Sequence, residues 1–256
     1  MLNQIDIQNI VAIAKEAGNA IMQVYKQDFK VEYKQNNSPL TQADKKANDI
    51  IEAGLKKLPV NFPILSEEGR ETPYKERRDW KYFWLVDPLD GTKEFIKKNG
   101  EFTVNIALIH KDSPVLGVVY APELDVCYWA KQGEGAFKDG QRLPFKIKEQ
   151  RGTYKIVASR SHMSNDTQIF IDAIDTNKEK ELISIGSSLK MCLIAEGEAD
   201  VYPRMGPTME WDTGAAHAII NETGKSLRKY INNKYEKHKY NKESLLNQHF
   251  VAGKLL

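Results

Sequence analysis

An apolar run, Trp84-Leu85-Val86, ends abruptly in Asp87-Pro88-Leu89-Asp90-Gly91-Thr92, and the helix-like Lys93-Glu94-Phe95 follows at once. Pro88 fixes its own φ, and Gly91 permits a conformation or a close approach that other residues resist. Asp87 and Asp90, three apart across so tight a turn, can point to one place, as can the carbonyl of Leu89. Two carboxylates and a carbonyl form a hard, all-oxygen donor set that suits Mg²⁺ rather than zinc or copper. Thr92 would open the next helix, whose free N–H groups attract an anion. Taken alone, the same string is also ordinary Pro/Asx turn chemistry. It is not an EF-hand loop, because the alternating oxygen ligands and the distal Glu are missing.

At 256 residues and 41% hydrophobic, the chain can bury a large core as one big domain or as two lobes. Its net charge of +2 gives no global reason to expect a nucleic-acid polymer or a membrane as partner. The first residues lack the charged-then-apolar pattern of a signal peptide, and no apolar stretch approaches the ~20 residues of a membrane span. Cys127 and Cys192 sit in apolar surroundings without paired spacing, as buried thiols of a reducing compartment do. The cytoplasm is the expected address.

Ile10, Ala14, Ala17, Ile21 and Val24 predict an amphipathic helix over about residues 4–27. Val31-Glu32-Tyr33 reads as a short strand, and Thr41 with Asp44 three residues on is a helix-start signature. As a residue of that first turn, Asp44 has a ready structural role beside the helix dipole. Phe62-Pro63-Ile64-Leu65 is a short strand ending in Ser66-Glu67-Glu68-Gly69, and residues 70–80 read as an exposed loop free to move. Residues 102–109, 115–120, 126–130 and 135–137 form an antiparallel meander. The first half is therefore α+β.

The polar run at 146–153 marks a boundary between an N-terminal α+β lobe, 1–148, and a C-terminal α/β lobe, 149–256. Beyond it, strands at 154–158, 182–185 and 199–202 alternate with helices at 164–173, from Ser187 and from Trp211. Seven lysines and arginines stand against Glu236 alone between Lys225 and Lys242. Tyrosines and asparagines break that stretch into loop and hairpin, so it reads as a solvated surface, with contact to acidic lipid at a membrane periphery or to nucleic acid as the alternative.

Gly186-Ser187-Ser188-Leu189-Lys190 follows a strand and opens a helix, offering N–H groups, hydroxyls and an ammonium to a phosphate. Arg204 supplies a second cation, and Arg160 and His162 lie just past a strand, where open α/β sheets place ligands. Asp212 falls at a helix start, as a capping acid or as a fourth carboxylate opposite Glu67, Asp87 and Asp90.

Ser66-Glu67-Glu68, Asp87-Pro88-Leu89-Asp90-Gly91-Thr92 and Trp211-Asp212-Thr213-Gly214-Ala215 together resemble the inositol monophosphatase superfamily. Asn37-Ser38-Pro39-Leu40-Thr41, Lys93-Glu94-Phe95-Ile96-Lys97, Asn99-Gly100-Glu101-Phe102 and Gly186-Ser187-Ser188-Leu189-Lys190 resemble its bisphosphate-nucleotidase branch. The likeness runs from the first helix to about Gly224, and the Lys-rich stretch beyond departs from it. The resemblance implies a layered α-β-α-β-α sandwich of the inositol monophosphatase and fructose-1,6-bisphosphatase type. It implies a lithium-sensitive phosphomonoesterase with two or three Mg²⁺ ions, acting by in-line attack of water. By the same resemblance Glu67, Asp87, Leu89, Asp90 and Asp212 are metal ligands. Asp44, Thr92 and Glu67 are catalytic, and Thr92 paired with Asp44 orients the water. Gly91 and Thr92 lie under the scissile phosphate, with Glu67, Leu89, Asp90 and Asp212 also at the substrate. Ser187, Lys190 and Arg204 take a second phosphate, and His162 lies near the nucleotide.

The implied substrate is 3'-phosphoadenosine 5'-phosphate or its 5'-phosphosulfate form, a by-product of sulfate assimilation. The implied assembly is a monomer or homodimer, cytoplasmic or peripheral on the cytoplasmic face of the inner membrane. An inositol or sugar-phosphate phosphatase is the alternative of the same class. A non-catalytic nucleotide- or membrane-binding protein is the alternative of another.

Overall fold

The computed structural model describes residues 2–33, 39–145, 152–158 and 163–255. Helix α1 (Ile7–Tyr25) buries Ile10, Ala14, Ala17 and Ile21 along one stripe, and the Asp6 side chain caps it by accepting the Gln8 N–H. A two-residue pair, β1 (Glu32–Tyr33) with β2 (Pro39–Leu40), leads into α2 (Gln42–Lys56). Both helices pack on one face of a seven-stranded sheet. Its strands are β3 (Ile64–Ser66), β4 (Tyr82–Asp90), β5 (Thr103–His110), β6 (Ser113–Ala121), β7 (Val126–Lys131), β8 (Gly135–Lys138) and β9 (Gln141–Arg142). They lie in that spatial order, with β3 parallel to β4 and every later pair antiparallel. Two short helices interrupt the connections, α3 (Tyr74–Arg77) before β4 and α4 (Thr92–Ile96) after it.

Two expectations are corrected here. The supposed tight turn is strand: β4 runs through Asp87-Pro88-Leu89 to Asp90, and its register against β5 shifts between Asp87 and Asp90. Pro88 is tolerated because such a bulge leaves its missing N–H outside the ladder. The stretch 70–80 is largely exposed, as expected, but it is not all loop: it holds α3, and Arg77 is buried. Its guanidinium donates to Asn241 Oδ1 at 2.9 Å and to the carbonyls of Lys242 and Glu243 at 2.7 and 2.9 Å.

The second sheet is mixed. Its spatial order is β11 (Glu179–Ser184), β10 (Thr153–Ala158), β12 (Val201–Arg204), β15 (Phe250–Gly253), β13 (Ser226–Ile231) and β14 (Lys234–Lys237). The expected α/β alternation holds for β10, β11 and β12, which are parallel, whereas the last three strands add antiparallel. Helices α6 (Leu189–Glu196) and α7 (Glu210–Asn221) fill the space between the sheets, and α5 (Asn165–Asp172) covers the outer face of the second. The layers therefore run helix, sheet, helix, sheet, helix. The expected lobe boundary at 148/149 lies outside the described residues.

The Lys-rich stretch is a solvated surface only in part. Lys229 pairs with Glu236 at 2.7 Å, Lys237 with Asp112 at 2.8 Å, and Lys242 with the buried Glu210. His238 and Tyr240 are buried, so this segment is a packed part of the fold rather than a basic tail. Among the described residues no helix is long and apolar enough to cross a membrane.

Small residues set the distance between the layers. Gly117 in β6 lies under α7 so closely that a Cβ there would meet the carbonyl oxygen of Ala215 at 2.1 Å. Backbone cannot yield as a flexible side chain does, so α7 must lift away from the sheet if that position grows. Gly117→Ala should lower stability by about 3 kcal/mol, the upper end of overpacking penalties, and the melting temperature by roughly 6–12 °C. Differential scanning calorimetry checks this; an unchanged melting temperature would show that α7 does not bear on β6 as described.

Candidate active site

Strand parity brings the acids together. Side chains alternate along a strand, so Glu67 follows Leu65, and Asp87 follows Leu85, onto one face. Leu65 and Leu85 both belong to the core beneath α7. The Glu67 N–H donates to the Val86 carbonyl at 3.1 Å, extending the β3–β4 ladder to the acid itself. Asp212 reaches the same place from the first turn of α7, where its Oδ2 accepts the Met209 N–H at 2.7 Å. One carboxylate oxygen from each of Glu67, Asp87 and Asp212 lies within 4.8 Å of the others. Three segments far apart in the chain thus meet at one corner.

Asp90 stands beside this trio rather than in it. Its Oδ2 accepts from Ser188 Oγ at 2.8 Å. It is close enough to matter electrostatically to both neighbours. Burial pushes the Asp87 carboxyl well above the usual carboxylate range, and the charges of Glu67, Asp90 and Asp212 push it further. Burial likewise raises Asp212 well above its ordinary value, with Asp90 the next cause. Among the described residues no lysine or arginine forms an ion pair with Asp87 or Asp212. Arg204 opposes the rise at Asp212 only in part, and desolvated like charges remain costly; a hard divalent ion is what offsets that cost with an all-oxygen donor set. The donors present fit such an ion.

Asp44 sits at the edge of the same corner. Its Oδ2 accepts the Thr41 N–H and the Thr41 hydroxyl, both at 2.7 Å, in a capping box. The structural role and the expected site role therefore fall on different oxygens. Oδ1 lies 3.4 Å from the Thr92 hydroxyl, which is equally 3.4 Å from the Leu89 carbonyl oxygen. Burial raises the Asp44 pKa, opposed by the Thr41 hydrogen bonds. The Leu89 N–H in turn donates to Asp87 Oδ1 at 3.0 Å, which folds the bulge over its own acid.

Gly91 closes that bulge with φ of 92°, a left-handed conformation, and a Cβ there would meet the Glu101 carbonyl oxygen at 3.1 Å. The helix that Thr92 opens has only five residues, so it presents a few free N–H groups rather than an appreciable dipole. Across from it lies a cavity of about 170 Å³ whose lining includes Asp90, Gly91, Ser187, Lys190, Arg204 and Asp212. Burial pushes the Lys190 ammonium down, although Asp90 beside it opposes this. Arg204 gives one Nη2 hydrogen bond to the Pro207 carbonyl at 3.0 Å, while its buried Nε has no partner among the described residues. Both cations face the acids across one small space. A larger cavity, about 700 Å³, lies on the α5 side, but Asp166 is its one carboxylate and it holds none of the expected residues.

Of the residues expected at the site, His162 lies outside the described residues, as does Arg160. The rest converge as described. Sequence reasoning missed the inward direction of the Ser188 hydroxyl, and it missed Asn105, whose Nδ2 donates to Ser188 Oγ at 2.9 Å. An Asn within the apolar run of β5 was the available signal. It also missed Glu210, whose buried carboxylate accepts the N–H groups of Asn241 and Lys242 at 2.7 and 3.1 Å.

Comparison with known proteins places the chain in a family. The model of the inositol monophosphatase family matches residues 3–251. The 3'(2'),5'-bisphosphate nucleotidase CysQ of Salmonella typhimurium is 48% identical over 222 residues, covering 85% of this chain and 88% of its own. The CysQ of Buchnera aphidicola is 41% identical over 254 residues, covering 97% and 94%. The crystal structure of CysQ from Bacteroides thetaiotaomicron superposes with a TM-score of 0.87 at 43% identity, covering 98% of this chain and 97% of that one. The chain belongs to the inositol monophosphatase family.

Proposed function

We propose that the chain is a Mg²⁺-dependent phosphomonoesterase that cleaves 3'-phosphoadenosine 5'-phosphate to AMP and phosphate. The observation that carries this reading is the shared cavity, in which Asp90 and Asp212 stand opposite Lys190 and Arg204. Divalent ions held by Glu67, Asp87, Asp90, Asp212 and the Leu89 carbonyl would supply charge neutralisation and Lewis acidity at the ester. Asp44 Oδ1, with the Thr92 hydroxyl, is positioned to orient water and take its proton, since Oδ2 is already committed to Thr41. A raised carboxyl pKa makes Asp44 a better base. Lys190, Arg204 and Ser187 bind the second phosphate, because two cations in a closing cleft need an anion that a neutral ring would not bring. The names of the CysQ relatives support the same substrate class. Cys127 and Cys192 are buried free thiols, which supports the cytoplasm as the proposed compartment.

The deciding assay measures phosphate release with Mg²⁺ from 3'-phosphoadenosine 5'-phosphate, inositol 1-phosphate and fructose 1,6-bisphosphate. The bisphosphonucleotide should lead inositol 1-phosphate in kcat/KM by about a hundredfold, as loss of a charged subsite contact costs roughly 3 kcal/mol, and should also lead fructose 1,6-bisphosphate, whose second phosphate is spaced differently. Equal rates on all three would overturn the substrate assignment. Lys190→Ala should raise KM for the bisphosphonucleotide about tenfold and leave simple monophosphate esters unaffected, because the ammonium acts away from the scissile bond. An equal kcat loss on both substrate types would contradict that placement.

Protons and ions compete for the same carboxylates. The folded pKa values of Asp87 and Asp212 are raised, so the folded protein without ions binds protons more tightly than the unfolded chain, and their ionisation destabilises it as pH rises. Mg²⁺ removes that penalty. The melting-temperature gain on adding Mg²⁺ should therefore be large near about pH 7.5 and shrink toward about pH 5.5. His217 and His238, both depressed by burial, oppose this trend alike with and without Mg²⁺ and cancel in the difference. A gain independent of pH would place the ion elsewhere.

A further inference from the structure

Ser188 sits where a phosphate-binding hydroxyl was expected, yet its side chain points away from that role. It is 1% exposed, and its Oγ lies 2.8 Å from Asp90 Oδ2 and 2.8 Å from the Asp212 carbonyl oxygen. Asn105 Nδ2 donates to Ser188 Oγ at 2.9 Å and stands 3.4 Å from Asp90 Oδ2. Thr103 Oγ1 donates to Asn105 Oδ1 at 3.0 Å, and both residues are buried. Donors therefore run one way, from Thr103 through Asn105 to Ser188, and end on Asp90 and the first turn of α7.

This chain links four elements, β5, α6, β4 and α7. A buried polar chain is costly unless every member is satisfied, and this one is satisfied only by ending on those two acids' groups. Asp90 needs such support more than its neighbours do. Asp87 is held by the Leu89 N–H and Asp212 by the Met209 N–H, whereas Asp90 lies past the register shift of β4. With Oδ2 taken by Ser188 and Asn105, Oδ1 is the oxygen left for a ligand.

We propose that Ser188 and Asn105 are positioning residues that aim the Asp90 carboxylate and set its spacing from Asp212, so that one ion of the metal centre depends on them. This rests on the metal centre proposed above. The single Ser188 hydroxyl stands 2.8 Å from both acceptors, so its one proton is shared between, or alternates between, the Asp90 carboxylate and the Asp212 carbonyl. Partners behind metal ligands are worth about 10–100-fold in ion affinity.

The test is Mg²⁺ titration by isothermal calorimetry of the wild type, Ser188→Ala, Ser188→Cys and Ser188→Ala/Asn105→Ala, with each melting temperature measured in EDTA. Two binding steps are expected in the wild type. Ser188→Ala should weaken one step about tenfold and spare the other, with an EDTA melting temperature lowered by a few degrees, since the cut leaves buried polar groups unpaired. Ser188→Cys keeps the shape and a weak donor and should recover part of the loss. Adding Asn105→Ala to Ser188→Ala should cost less than about twofold more, because the chain is already cut. Equal affinities in the wild type and Ser188→Ala overturn the proposal. So does equal weakening of both steps, which marks a general folding role rather than the aiming of Asp90. A wild type that binds no Mg²⁺ would instead overturn the metal centre, and this inference with it.

Discussion

Everything at this corner depends on carboxylates being buried against one another. Asp87 is 1% exposed and surrounded by Glu67, Asp90 and Asp212, so its charge is both desolvated and repelled. Folding cannot favour such a cluster for its own sake, since replacing the acids by apolar groups would remove the penalty. The cluster makes sense as a cation site whose stabilisation arrives with its ion. The rest of the architecture keeps the acids close against that repulsion.

Rigid packing supplies that restraint. The seven-stranded sheet carries Glu67 and Asp87 on adjacent, parallel strands, so their separation is set by the ladder. Asp212 comes from the opposite layer, and its approach is set by how closely α7 lies on β6 at Gly117. Two further ties act at the start of α7. Glu210 holds the backbone of Asn241 and Lys242, and Arg77, on the segment after Glu67, holds the same loop from the other side. The loop thus brackets Glu67's segment and Asp212's helix, and the site is assembled from both halves of the chain.

Much of this was legible in the residues. Asp87 and Asp90 were brought together by way of a turn; the alternation Phe83–Leu85–Asp87, and Leu65–Glu67 beside it, carries the same placement by parity and was not read. Thr41 with Asp44 marked a helix start, and the capping box shows that this role and a site role share one carboxylate through different oxygens. What stayed hidden has a common cause. The Arg77–Asn241 contact spans 164 residues, and no local pattern encodes a pairing so distant. The lysines of 225–242 looked unpaired because their acids, Asp112 and Glu210, lie far off in sequence. Ser188 was misjudged because a hydroxyl beside a helix start can face outward to an anion or inward to a carboxylate, and spacing does not distinguish the two. The bulge in β4 was read as a turn because Pro and Gly serve both.

The site as drawn requires acids from three separate segments to hold divalent cations at one corner. Anomalous diffraction from crystals soaked in Mn²⁺, a Mg²⁺ surrogate, tests it most directly. Anomalous density is expected at this corner, within coordination distance of carboxylates from Glu67, Asp87 and Asp212. Ordered Mn²⁺ found only elsewhere on the protein, with Glu67, Asp87 and Asp212 in contact with none of it, would contradict that requirement.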